Sequence, residues 1–216
     1  MTATETDLDE VFVPLDIKCT KTECERNLHC FLPDRKMARR KQKGPCRSCG
    51  KELVDWNRLE KKDLNDAAHT IEMLKLEWIR HKYWCSKQID PVAETHARRA
   101  GHRQLKIETE AILRKSVGSH KHPVQGRQTK WDGNIIFYGQ HATACCCRRC
   151  IEVWYGISRK RDLTEDEIRY FTDLVTIYIH HRLPEVTDAG EPEWTKPDEE
   201  HVSNRPDTRG DHGHQR

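Results

Sequence analysis

The chain has 216 residues, 35% hydrophobic and 34% charged, with a formal net charge of +3. No apolar run approaches the roughly 18 residues of a membrane span. The acidic N-terminus, MTATETDLDE, has no secretory apolar segment, so a cytoplasmic protein with no membrane partner is expected. In a reducing compartment its ten cysteines argue for metal ligation rather than disulfides.

Residues 1–10 are polar and read as disordered. Val11 to Ile17 alternates and reads as a short strand. The first thiol cluster follows. Cys19, Cys24 and Cys30 precede a fifteen-residue gap, and Cys46-x-x-Cys49-Gly50 closes it. The Cys-x-x-Cys turn with a following glycine has the form of a zinc knuckle, in which two thiolates face one ion. Five thiols compete for four positions, and spacing leaves open which of Cys19, Cys24 and Cys30 is omitted. His29 reads as a polar histidine beside a ligand. The stretch from Asp34 to Arg47 carries Arg35, Lys36, Arg39, Arg40, Lys41, Lys43 and Arg47 against Asp34 alone. Such a run can lie along nucleic-acid phosphates and release their counterions, or it can be a solvated loop. No aromatics interleave it, so base stacking is not indicated.

Asp63 or Asn65 can cap a helix reaching about Tyr83, with Leu64, Ala67, Ala68, Ile71, Leu74 and Trp78 on one stripe. Trp78 and Trp84 read as core, and Cys85 as a buried free thiol. Asp90-Pro91 opens a second helix ending near Gly101. A third is expected over about 103–115, stopped by Gly118. Ser119 to Lys130 reads as a polar loop, whose His120 and His122 are weak ligand candidates. The apolar run Gly133 to Tyr138 reads as a strand delivering the chain to His141.

The densest chemistry lies at Gln140 to Cys150, where one imidazole and four thiols share eleven residues. Cys147-x-x-Cys150 can bring two sulfurs to one ion, on the first turn of a helix ended by Gly156. That helix N-terminus favours thiolate over thiol. His141, Cys146, Cys147 and Cys150 make a four-ligand set, with Cys145 as a neighbour. Thr164-x-x-Glu167 is a capping box opening a last helix with Ile168, Phe171, Leu174, Val175 and Tyr178 on one face. Residues 185–216 lack periodicity and read as a disordered acidic tail. With nine acidic and four basic side chains they leave +8 on residues 1–184.

QHATA-C-CCRRC, followed by IEVWYGI and RDLTEDEI, resembles a family of small bacterial proteins known only as a domain of unknown function. That family's pattern is QHATA-x-CCR-x-C, then an aromatic-Gly-Ile step and a Leu-Thr-x-x-Glu helix start. Gly126-Arg127-Gln128-Thr129 also resembles it, although its usual next residue, proline, is Lys130 here. The resemblance spans roughly residues 64–184 and implies no particular activity.

The reading is therefore a mainly helical α+β protein, a small zinc-stabilised domain with few short strands. A zinc-binding module is expected over 11–58 and a helical domain with the second cluster over 59–184. Two zinc ions are expected. The function read from the basic patches at 35–47, 98–106, 148–149 and 159–161 is a nucleic-acid-associated binding module. The alternative is a zinc-dependent hydrolase or deaminase-like enzyme using His141, Cys146, Cys147 and Cys150. Nucleobase deaminases need a glutamate in H-x-E, and Thr143 stands at that position. No HExxH, P-loop or GxSxG motif occurs, and enzymatic activity is left open.

Overall fold

The computed structural model describes residues 18–34, 37, 44–121 and 129–191. Among these, seven α-helices carry the fold and there is no strand beyond isolated bridges. The α+β expectation therefore resolves to a mainly helical protein. The strand expected at 11–17, most of the basic run and the Gly126 to Gln128 motif lie outside the described residues.

The helices, in chain order, are α1 (Trp56–Leu59), α2 (Ala67–Lys75), α3 (Trp78–Cys85), α4 (Pro91–Leu113), α5 (Ile135–Ala142), α6 (Arg148–Tyr155) and α7 (Glu165–Arg182). Each long helix starts where a side chain can take an orphan backbone N–H. Asp90 accepts from Ala93 at 2.9 Å, with Pro91 in the first turn. Thr164 and Glu167 form the full capping box of α7. The α7 helix packs along α4 and α5, and α3 packs against α5. Trp78, Trp84, Ile168, Phe171, Leu174, Val175 and Tyr178 are all buried in one shared core.

Three expectations change. The apolar run before His141 is helix, not strand: Asn134 caps it by accepting from Ile136 at 2.8 Å, and α5 is buried nearly all round. A helix hydrophobic on every face reads like a buried strand over eight residues. The single helix expected from Asp63 to Tyr83 is broken. A 3-10 turn covers Leu64–Asp66, α2 ends at Lys75, and α3 begins at Trp78. The break is held from outside, because His29 donates its N–H to Leu76 at 2.7 Å and accepts from Trp78 at 2.8 Å. Cys85 is exposed rather than buried.

The expected division at Gly101 is present as a kink within α4, where Gly101 has φ 74° and ψ 162°. A π-turn over Arg114–Gly118 then ends the helix. Residues 185–191, expected as the start of the disordered tail, fold back onto the kink instead. His102 and Arg103 donate to the carbonyls of Thr187 and Asp188, and Glu191 donates to that of Arg98. Val186 is buried. Residues 192–216 lie outside the described set.

Candidate metal centres

Two groups of metal-ligating side chains converge. In the first, the donor atoms of Cys24, His29, Cys46 and Cys49 all lie within 4.8 Å of one another. Cys24 opens a 3-10 turn that ends with Asn27 in the left-handed region, φ 59°. That reversal returns the chain as the Glu23–Leu28 bridge and presents His29 beside Cys24. Cys46 and Cys49 face them from the second loop. The Cys24 and Cys46 sulfurs are 3.8 Å apart, and Cys49 Sγ lies 3.4 Å from His29 Nδ1.

The imidazole is oriented for ligation. Its Nε2 faces Asn27 Oδ1 at 3.0 Å, an acceptor that puts the proton on Nε2 and leaves a lone pair on Nδ1 towards the sulfurs. His29, read from the sequence as a polar neighbour of a ligand, thus stands within the group that could hold an ion. Of the three competing thiols Cys24 joins the group. Cys30 is buried and donates to the Cys19 carbonyl at 3.3 Å, so neither Cys30 nor Cys19 belongs to this set. Burial raises the Cys46 thiol, but backbone N–H groups, with His29, outweigh it and hold it down at about 6. Burial and the neighbouring thiols push Cys24 up to about 11. The thiolate is therefore favoured at Cys46, whereas Cys24 would have to lose its proton to a metal.

The second group is Cys146, Cys147 and Cys150, all buried and within the same 4.8 Å limit. Cys147 caps α6, its sulfur accepting from the Cys150 N–H at 3.4 Å, as expected for a cluster on a helix first turn. Gly156, in the left-handed region at φ 68°, ends that helix. Cys146 and Cys150 sulfurs are 3.7 Å apart. Hydrogen bonding to Cys146 holds the Cys147 thiol up, at about 11. Cys145 is buried beside them and bonded to the Thr143 hydroxyl at 3.2 Å.

His141 is not brought into this group. Its ring is sandwiched between Tyr83 and Trp131, with centroids at 5.0 and 4.3 Å, and Nε2 faces the carbonyls of Thr129 and Lys130 at 3.0 and 3.1 Å. Burial, and then the Arg80 charge, lower its pKa to about 3. Its Nδ1 is buried without a hydrogen-bond partner.

Sequence reasoning missed Arg80 and Glu77, both fully buried. Arg80 donates to Glu77 Oε2 at 3.0 Å, to the His141 carbonyl at 2.6 Å and to Cys150 Sγ at 3.1 Å, with Cys146 Sγ at 3.8 Å. Glu77 also accepts from Phe31 N–H and Trp154 Nε1 at 3.2 and 3.1 Å. Their three-residue spacing on a helical pattern was a weak signal, since such pairs are common on solvated faces.

The basic patches fare unevenly. Arg148 is buried and satisfies the carbonyls of Val117, Ser158 and Arg161. Arg98 pairs with Glu94 and Glu185, Lys106 with Asp173, Arg159 with Glu152, and Arg161 with Glu167. His120 pairs with Asp162 at 2.7 Å. Arg35, Lys36, Arg39, Arg40, Lys41 and Lys43 lie outside the described residues.

Residues 68–180 match the family described as a domain of unknown function, DUF4186. No solved structure matches the chain.

Proposed function

This chain belongs to the DUF4186 family, and from that premise we propose that it is a zinc-binding, nucleic-acid-associated module. The observation that carries the zinc reading is the Cys24, His29, Cys46 and Cys49 set. Three sulfurs and one imidazole nitrogen are the donors of a closed structural zinc site, and the Asn27 acceptor is the outer hydrogen bond such a histidine requires. The second ion is held by Cys146, Cys147 and Cys150; His141 stands outside that group in this structure and becomes the fourth donor if its ring moves Nδ1 towards the sulfurs. What supports His141 is a buried lone pair without a partner, on a ring whose Nε2 faces two carbonyls, in a residue whose carbonyl shares Arg80 with Cys146. All three sulfurs are buried, which favours a structural ion over one that activates water.

The nucleic-acid part rests on the cationic run between Cys30 and Cys46. It connects two ligand-bearing loops of the first centre, whereas Arg98, Lys106, Arg159 and Arg161 elsewhere are engaged by carboxylates. The expected result is two zinc ions per reduced chain by plasma mass spectrometry, with one histidine nitrogen in each coordination shell by X-ray absorption. Binding to arbitrary duplex DNA should weaken with salt at a log–log slope of about −0.9 per phosphate contacted. Changing Arg39, Arg40 and Lys41 together to Gln should flatten that slope while the zinc stays. An unchanged slope defeats the assignment to this loop.

A further inference from the structure

The two centres are joined by a continuous chain of buried contacts. His29, a donor of the first centre, clamps the α2–α3 break through its own backbone: its N–H goes to Leu76 and its carbonyl receives Trp78. Glu77 sits between those two residues, and its backbone forms the bridge with His29. Its carboxylate accepts from Phe31, two residues beyond His29. The same carboxylate fixes Arg80 at 3.0 Å, and Arg80 reaches Cys150 at 3.1 Å. Trp154 of α6 closes the loop by donating to Glu77 at 3.1 Å.

Apart from half-buried Leu76, every member of this route is buried, so its groups have little water to replace a lost partner. If His29 is released, Leu76 and Trp78 lose their backbone partners and Glu77 is no longer fixed. Arg80 then loses the acceptor that aims its guanidinium at the sulfurs. That guanidinium donates to Cys150 Sγ and lies beside Cys146 Sγ, so when it swings away two of the buried donor sulfurs lose the cation that holds them in place.

We propose that the partly exposed N-terminal centre controls ion retention at the buried C-terminal centre through Glu77 and Arg80. The inference rests on both groups holding metal. Cys49 is exposed while Cys146, Cys147 and Cys150 are buried, so the first ion is the one a chelator or thiol reagent reaches. Its loss then loosens the second.

The test uses the full-length protein with zinc and a chromophoric chelator. In wild type the N-terminal ion should leave first. In Cys49→Ser, which removes an exposed ligand, affinity at the C-terminal centre should fall on the order of tenfold. Reciprocity requires Cys150→Ser to weaken the N-terminal centre by the same factor. Glu77→Gln, which removes the charge that orients Arg80, should weaken the C-terminal ion by itself and reduce the mutual factor to near one. If Glu77→Gln does not fold, Trp154→Phe removes one donor to the same carboxylate and should reduce the factor partly. C-terminal affinity unchanged in Cys49→Ser overturns the proposal, as does coupling that survives undiminished in the variant that folds. Fewer than two ions in wild type defeats the metal reading itself, whereas two ions with independent affinities defeat the coupling alone.

Discussion

Asn27 is not one of the donors of the first centre, yet it decides which nitrogen of His29 is bare. Replacing it with glycine removes the acceptor for Nε2 while keeping the left-handed turn that presents His29. Outer hydrogen bonds of this type are worth roughly 10- to 100-fold in metal affinity. Asn27→Gly should therefore weaken zinc at the N-terminal centre by that order, read by competition with a chelator, and leave helix content unchanged. A second residue-scale prediction concerns His102, which stacks on His180 with centroids 3.7 Å apart. Burial and then the neighbouring imidazole lower its pKa, while Asp188 and Glu185 pull the other way. The unfolded chain takes up this proton first as pH falls below about 6.5. His102 thus costs stability from that point downward until its lower folded value is passed. His102→Gln should flatten the fall of the urea midpoint between pH 6.5 and 5, compared with the wild type at equal zinc loading. An unchanged pH slope would assign the loss to other groups.

At the scale of elements, Gly139 shows how close α5 lies to α7. A Cβ there would meet Val175 Cγ1 at 2.7 Å and Tyr178 Cδ1 at 3.3 Å. In an isolated helix Gly→Ala gains about 1 kcal/mol, but overpacking costs about 1–3 kcal/mol. Gly139→Ala should therefore lower stability in urea titration, and Val175→Ala in the same chain should recover part of the loss, because the two sites touch. Thr164→Ala, which removes the cap of α7, should cost about 1 kcal/mol by the same measurement. These elements were unevenly legible in the sequence. The α7 cap, the Asp90-Pro91 start and the Gly156 stop are local signals, and each is where its residues place it. Helix α5 was hidden because an apolar run buried on all sides has no polar face to reveal its period; Asn134 was its only local marker. The break at Leu76 and Glu77 could not be read locally at all, since the groups that hold it belong to His29, nearly fifty residues away. The place of His29 in the first group was hidden because it depends on the reversal at Asn27, which spacing alone does not show. The thiol clusters themselves were visible because Cys-x-x-Cys needs only local geometry.

For the whole molecule, the N-terminal loops are not a separate finger. Phe31 packs edge-on to Trp154 at 5.7 Å and to Trp56 at 5.9 Å, inside the same core as the α7 helix. Removing metal should therefore affect the whole fold. Chelation of the reduced protein should lower its thermal midpoint in a single cooperative transition followed by both near-ultraviolet and far-ultraviolet circular dichroism. Separate transitions by the two signals would show that the N-terminal loops melt alone.

The fold-back of residues 185–191 has a practical corollary for anyone trimming this protein. Gly101 and Gly190 are pressed together so closely that a Cβ on either would lie 2.2 Å from the other strand's backbone. The family match stops at residue 180, before this segment. A fragment cut at that border would end inside α7, two residues short of Arg182. It would strip the N–H groups of His102 and Arg103 of their acceptors in the middle of the longest helix. The recurrent sequence unit and the unit that folds have different edges, and an expression fragment should run at least to Glu191.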